Sequence, residues 1–180
     1  YIGVNAGFVP DIKVRQAIMH SIDTSMTVSY YGNTASAIHR SMSLTSWAYP
    51  TGATAYYPFI GGAVPADLDV VNPDYADYCY ELGKKAGDFF TEEEQKEFLV
   101  RLVEDSGYRI GGDGVYTNGT TKLKYTFTIA GNETDHPAFN AFYKASELLN
   151  SINFEITVAT DGQALSKLAS FHLDFFISSN

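Results

Sequence analysis

From Lys122 to Ile177 the hydrophobic period switches back and forth between about two and about 3.6 residues, and this order restricts the possible folds more than any single motif. Lys122–Ile129 (KLKYTFTI) alternates strictly, with Leu123, Tyr125, Phe127 and Ile129 on one side of a strand. After a Gly131-Asn132 turn, Pro137 stands where a helix begins; Ala138, Phe142, Ala145, Leu149 and Ile152 share one helical face. Phe154, Ile156 and Val158 alternate again. Asp161 is placed to cap a short helix carrying Leu165 and Leu168, and Leu173–Ile177 closes the series as a strand. Strand, helix, strand, helix, strand predicts a βαβαβ unit, its parallel strands in one sheet joined by right-handed crossovers. Ligands in such sheets sit beyond the carboxyl ends of the strands. The loops concerned are residues 130–136, residues 159–162 and the segment from Ser178 onward.

The first half is less regular. Tyr1–Asn5 (YIGVN) reads as a strand. Asp11 is a candidate N-cap for a helix whose buried face holds Val14, Ala17, Ile18 and Ile22, with Lys13 and Gln16 expected outside. Its apolar run continues through Val28-Ser-Tyr-Tyr to Gly32, a helix-stop residue. From Asn33 to Asn72 prolines and glycines break every period, predicting an irregular segment. Forty residues is long for such a segment inside a compact domain. Either it packs through Trp47, Tyr49, Tyr56, Tyr57 and Phe59 or, as is expected here, it lies against a domain outside this chain. Two helices follow. Tyr75, Tyr78, Cys79, Leu82 and Ala86 form one stripe; Thr91-Glu-Glu-Glu94 has capping-box spacing ahead of Phe98, Leu99, Leu102 and Val103, and Gly107 fits the stop.

Composition narrows the function classes. The 180 residues carry 12 Lys plus Arg against 21 Asp plus Glu, a net charge of −9 that argues against nucleic acid and anionic lipid as partners. The single cysteine, Cys79, permits no internal disulfide and reads as a small core residue. No run has the length of a membrane span, and none has the layout of a signal peptide. Both chain ends read as interrupted elements, which suggests a piece of a longer protein.

No nucleophile elbow, zinc-protease helix, paired-cysteine motif, P-loop or dinucleotide fingerprint is present. His20, His39, His136 and His172 are scattered singly. Asn132-Glu-Thr-Asp-His136 gathers polar groups at a strand's carboxyl end, as a helix entry or as a cleft-lining loop. Gly111–Gly119 surrounds Asp113 with glycines but lacks the spaced acids of a calcium loop, so a hairpin turn is expected. Asn118-Gly-Thr and Asn132-Glu-Thr fit the glycosylation pattern. No catalytic residue, metal site or cofactor is predicted.

Several segments resemble one family. Tyr1-Ile-Gly-Val-Asn5, followed by Asp11–Asp23 with Val14, Arg15, Ala17, Ile18, Ile22 and Asp23 in register, is similar to the strand-then-helix entry of the oligopeptide-binding family of extracellular solute-binding proteins of ABC transporters. Leu102–Tyr108 (LVEDSGY), Leu148–Ile152 with Glu155–Val158, and Leu165–Asp174 resemble later signatures in the same order. Asn153 stands where the family has glycine, Ser170 stands near a second expected glycine, and Asn180 stands where the family often has Trp. The resemblance implies an α/β fold: a lobe of the periplasmic-binding-protein type II kind, with a mixed sheet and a βαβαβ second half.

Residues 1–180 would then be an incomplete fragment of the C-terminal lobe: strand and helix entry over 1–32, a surface segment over 33–72, and helices with the βαβαβ unit over 73–180. It further implies a non-enzymatic, extracytoplasmic, monomeric receptor, periplasmic or anchored as a lipoprotein. Its expected partners are an N-terminal lobe of the same protein, an ABC permease in the membrane, and a peptide or other small solute. Ligand contacts would fall on Tyr1, Gly3, Asn5, Asp135, His136, Ser178 and Asn180. Alternatives are a receptor for a sugar, metal chelate or opine on this fold, an α/β hydrolase-like enzyme, or an interaction module recruiting partners through residues 33–72.

Overall fold

The computed structural model describes residues 2–32, 34–38, 42–43, 45–52, 58–131, 135–169 and 175–177, with side chains as far as Lys167. Along the chain run β1 (Ile2–Val4), α1 (Ile12–Ser21), α2 (Ser25–Tyr30), α3 (Pro73–Glu81), α4 (Glu92–Asp105), β2 (Arg109–Ile110), β3 (Tyr116–Thr117), β4 (Lys124–Ala130), α5 (Phe139–Asn150), β5 (Glu155–Asp161), α6 (Ala164–Ala169) and β6 (Phe175–Ile177). The three strands expected to share a sheet do so, in the order β1-β6-β4-β5. β4 is central and runs parallel to both neighbours, with Tyr125 opposite Ile156 and Phe127 opposite Phe175. β1 pairs antiparallel with β6, Ile2 opposite Ile177. Phe127 and Ile129 on β4 are fully buried, and Phe127 meets the Phe142 ring of α5 at 5.0 Å.

Helix ends follow local chemistry. The Asp11 carboxylate accepts the Lys13 and Val14 N–H groups and so starts α1. Thr91 and Glu94 form the expected capping box of α4. Gly107, at φ 84°, ends α4: its N–H donates to the Glu104 carbonyl and that of Tyr108 to Val103. Gly83, at φ 64°, ends α3 in the same way. The stripe expected through Leu82 and Ala86 therefore stops at Cys79, and both later residues are exposed. Cys79 is buried, which raises its thiol pKa.

Residues 109–117 form the expected hairpin, with Asp113 paired to Lys122. Asn153 takes φ 70°, the left-handed conformation that glycine at this position would adopt freely. From there Asn153 Nδ2 donates to the Gly114 carbonyl at 3.0 Å and its own carbonyl accepts the Tyr116 N–H, tying the hairpin to the end of α5.

Other expectations are corrected. The helix expected from Asp11 to Gly32 breaks: Ile22 is extended, at ψ 116°, and a separate α2 begins at Ser25, where Asp23 accepts the Ser25 N–H. Val14, Ile18 and Ile22 are buried, but Lys13 and Gln16 are half-buried. Lys13 lies between Asp74 of α3 and Asp105 of α4, at 3.1 and 3.3 Å. Leu165 is exposed, and Ala164 turns inward on α6 instead. Asp161 belongs to β5; its carboxylate accepts the Gln163 N–H and pairs with Lys167.

The irregular segment divides. Among its described residues Trp47 is 98% exposed, whereas Ile60, Val64 and Val71 are buried in the core. His20 makes that docking possible. Its Nδ1–H donates to the Pro58 carbonyl, its own carbonyl accepts the Ile60 N–H at 2.8 Å, and its ring stacks on Tyr75 and meets the edge of Phe98. Burial keeps the imidazole neutral, with a pKa lowered from 6.5 to about 4.

Two outcomes follow from these contacts. The unfolded chain binds a proton on His20 near pH 6.5 that the folded chain refuses until about 4, so this contribution is complete above 6.5 and lost as pH falls towards 4. Urea melts should show about 2 kcal/mol lost between roughly pH 7 and 5, mostly abolished in His20→Phe. Asn153→Ala should cost about 1–2 kcal/mol through the strained left-handed backbone and the lost bond to Gly114, while Asn153→Gly stays within about 1 kcal/mol of the parent.

Candidate functional site

Because β4, β5 and β6 are parallel, their carboxyl ends meet at one edge of the sheet. Ala130 lies opposite Asp161 there, and the Gly131 N–H donates to the Asp161 carbonyl at 3.1 Å. Gly131 has φ 140°, a backbone open to glycine, and it turns the chain out of β4. β1 reaches the same edge by its amino end, since Ile2 is level with Ile177 and Ile129.

Of the residues predicted to touch ligand, Asp135 and His136 stand together on the loop entering α5. Asp135 is exposed and His136 half-buried. The Ala138 N–H donates to His136 Nδ1 at 3.1 Å, so in the neutral ring Nε2 carries the hydrogen. Burial lowers the His136 pKa and favours this neutral form. Nε2 is enclosed, and this donor finds no acceptor among the described residues. Gly3 sits one residue in from the edge, opposite Phe176. Asn5 follows Val4, which is level with Phe175, so it lies farther from the edge. Its side chain is engaged locally, accepting the Gly7 N–H at 2.9 Å. Tyr1, Ser178 and Asn180 lie outside the described residues, as does the Asn132-Glu-Thr segment.

Sequence reading missed Tyr30 and Tyr31. Tyr30, at the end of α2, donates its hydroxyl to Asp135 Oδ1 at 3.0 Å, and the carboxylate raises the Tyr30 pKa. The Tyr31 ring meets Tyr30 edge-on at 5.3 Å; the two are 49% and 45% exposed. On α5, which packs against α2, Phe139 stacks on the half-exposed Tyr143 at 6.3 Å. The aromatic pair Tyr30-Tyr31 was visible in sequence only as the end of a supposed long helix. Nothing there linked it to Asp135.

No group of three or more potential metal ligands occurs among the described residues, and no described helix is long and apolar enough to cross a membrane. A separate groove of about 460 Å³ opens away from this edge, between Asp23 and Met26 at the start of α2, Gln95 on α4, and Lys144 and Leu148 on α5.

No family model and no curated protein matches the chain. Solved structures do. The oligopeptide-binding protein AppA from Bacillus subtilis, in complex with a nonapeptide, superposes with a TM-score of 0.61 at 18% identity, over 99% of this chain and 30% of that one. This chain has the fold of part of a periplasmic solute-binding protein. NikZ from Campylobacter jejuni, in complex with Ni(L-His), gives a TM-score of 0.55 at 14% identity over 98% of this chain and 28% of its own. A mannohexaose-bound periplasmic oligopeptide-binding protein from Thermotoga maritima gives 0.52 at 16%, with the same two coverages. The chain spans about 30% of the length of these solute-binding proteins.

The Tyr30–Asp135 bond can be read directly in this fold. The Tyr30 phenol should titrate above its ordinary value and return towards it in Asp135→Asn, as followed by ultraviolet difference absorbance. A parent and variant with coincident Tyr30 titrations would place the two groups apart in solution.

Proposed function

We propose that the chain is the ligand-binding part of an extracytoplasmic receptor for an ABC importer, and that it captures peptides or similar small solutes without catalysing a reaction. The observation that carries this reading is the superposition of 99% of the chain on AppA from Bacillus subtilis, in its complex with a nonapeptide. The family signatures in the sequence support it independently, in the same order along the chain. A sugar or metal-chelate ligand is the alternative on the same fold, favoured by the superpositions on the mannohexaose-bound protein and on the Ni(L-His) complex.

In this reading the solute faces the edge formed by Ile2, Gly3, Asp135 and His136, with Tyr1, Ser178 and Asn180 continuing it. Asn5 would support the end of β1 through its turn. A second lobe, outside these 180 residues, closes over the solute as a hinged clamp, and closure is what the membrane permease recognises. Binding needs no nucleophile and no acid–base pair. It needs a rim of polar and aromatic groups on a rigid sheet, and this edge has both. The proposed organisation retains a strand-helix entry over 1–32, a surface segment over 33–72 and the helices with the βαβαβ unit over 73–180, all within one lobe.

A clamp predicts a large difference between part and whole. One lobe offers about half of the contacts, and losing roughly 4 kcal/mol turns micromolar affinity into millimolar. Calorimetric titration of a random peptide pool should give no saturable heat with this chain at about tens of micromolar, and a saturable response with the full-length receptor that contains it. Tight binding by the chain alone would overturn the inter-lobe arrangement, and turnover of ester or peptide substrates would overturn the non-enzymatic reading.

A further inference from the structure

We infer that the corner built by Tyr30, Tyr31 and Asp135 selects a cationic group on the solute; this rests on the sheet edge being the solute-facing one. Asp135 is exposed at the rim, and its Oδ1 accepts the Tyr30 hydroxyl at 3.0 Å. Among the described residues it has no ion-pair partner and no other hydrogen bond, whereas Asp113, Glu155 and Asp161 are each matched by a lysine. The bond from Tyr30 fixes the carboxylate without neutralising it. A fixed, uncompensated negative charge at a ligand rim favours a cation.

The two tyrosines supply the rest of the corner. They meet at an interplanar angle of 81°, so their faces point in different directions and form an angled aromatic wall, nearly half of it open to solvent. Ring faces carry negative electrostatic potential, so an ammonium or guanidinium beside a carboxylate gains from both. Its aliphatic stem gains by covering the rings. The occupant is thus a solute carrying a primary amine or guanidinium on a flexible apolar stem, such as a lysine- or arginine-rich peptide. The net charge of −9 draws cations to the whole surface, so the test must separate local from diffuse attraction.

Nuclear magnetic resonance titration of this chain reads binding residue by residue at peptide concentrations up to about 10 mM, enough for millimolar affinity. The probes are trilysine amide and acetyl-trialanine amide. Trilysine amide should shift Tyr30, Tyr31 and Asp135 saturably, and acetyl-trialanine amide should bind there at least about fivefold more weakly. Asp135→Asn should weaken trilysine amide about fivefold, and Tyr31→Ala should weaken it too. Asp69→Asn, which removes an equal charge from an exposed turn, should leave it unchanged within about twofold.

Equal shifts at the corner by both peptides would overturn charge selection while leaving the edge as a solute contact. Equal losses in Asp135→Asn and Asp69→Asn would reduce the effect to diffuse attraction and overturn the inference. Shifts by neither peptide at any residue of the edge would overturn the inference and the reading beneath it.

Discussion

Parallel pairing on both sides of β4 is the constraint from which the rest of the architecture follows. A parallel neighbour cannot be reached by a tight turn, so each crossover must carry the chain back along the sheet. α5 makes one such return and α6 makes the other. Both returns leave the carboxyl ends of β4, β5 and β6 at a single edge. The strand on the far side of β6 joins antiparallel and presents its amino end at that edge. Polar loops therefore collect at one rim, while the apolar faces of β4 and α5 close the core through Phe127 and Phe142.

The helical layer is held by a different kind of contact. His20 is a polar residue in an apolar setting, stacked on Tyr75 and edge-on to Phe98, and its burial is tolerated because Nδ1–H is satisfied by the Pro58 carbonyl. That one side chain joins α1, α3 and α4 to the part of the irregular segment that carries Ile60 into the core. Lys13 plays a weaker role nearer the surface, where its bridges to Asp74 and Asp105 are partly screened by solvent. Breaking the α1 run at Ile22 also redirects the chain. Without that break α2 would not bring Tyr30 to the rim.

The solved structures that share this fold contain a nonapeptide, Ni(L-His) and mannohexaose. One backbone arrangement is thus compatible with very different ligands. In this chain the described rim carries a carboxylate, a neutral imidazole and an aromatic pair. These are features of particular residues rather than of the sheet.

Periodicity and caps were legible in the sequence because they are local. The alternation of Tyr125, Phe127 and Ile129, the face from Ala138 to Ile152, the Thr91-Glu94 capping box and the stop at Gly107 each depend on residues a few positions apart. Asp135 and His136 could be picked out for the same reason, as polar residues at the end of a well-marked strand. Asn153 was visible as a substituted glycine, and its left-handed backbone gives the reason. What the sequence could not show was which distant segments meet. Tyr30 and Asp135 are 105 positions apart, and their hydrogen bond exists only because the chain turns at Ile22. The half-burial of Lys13, the exposure of Leu82 and Leu165, and the clasp of His20 on Pro58 are equally products of packing. Hydrophobic pattern tells each element which face to bury, but only the assembled elements decide which polar groups are left facing one another.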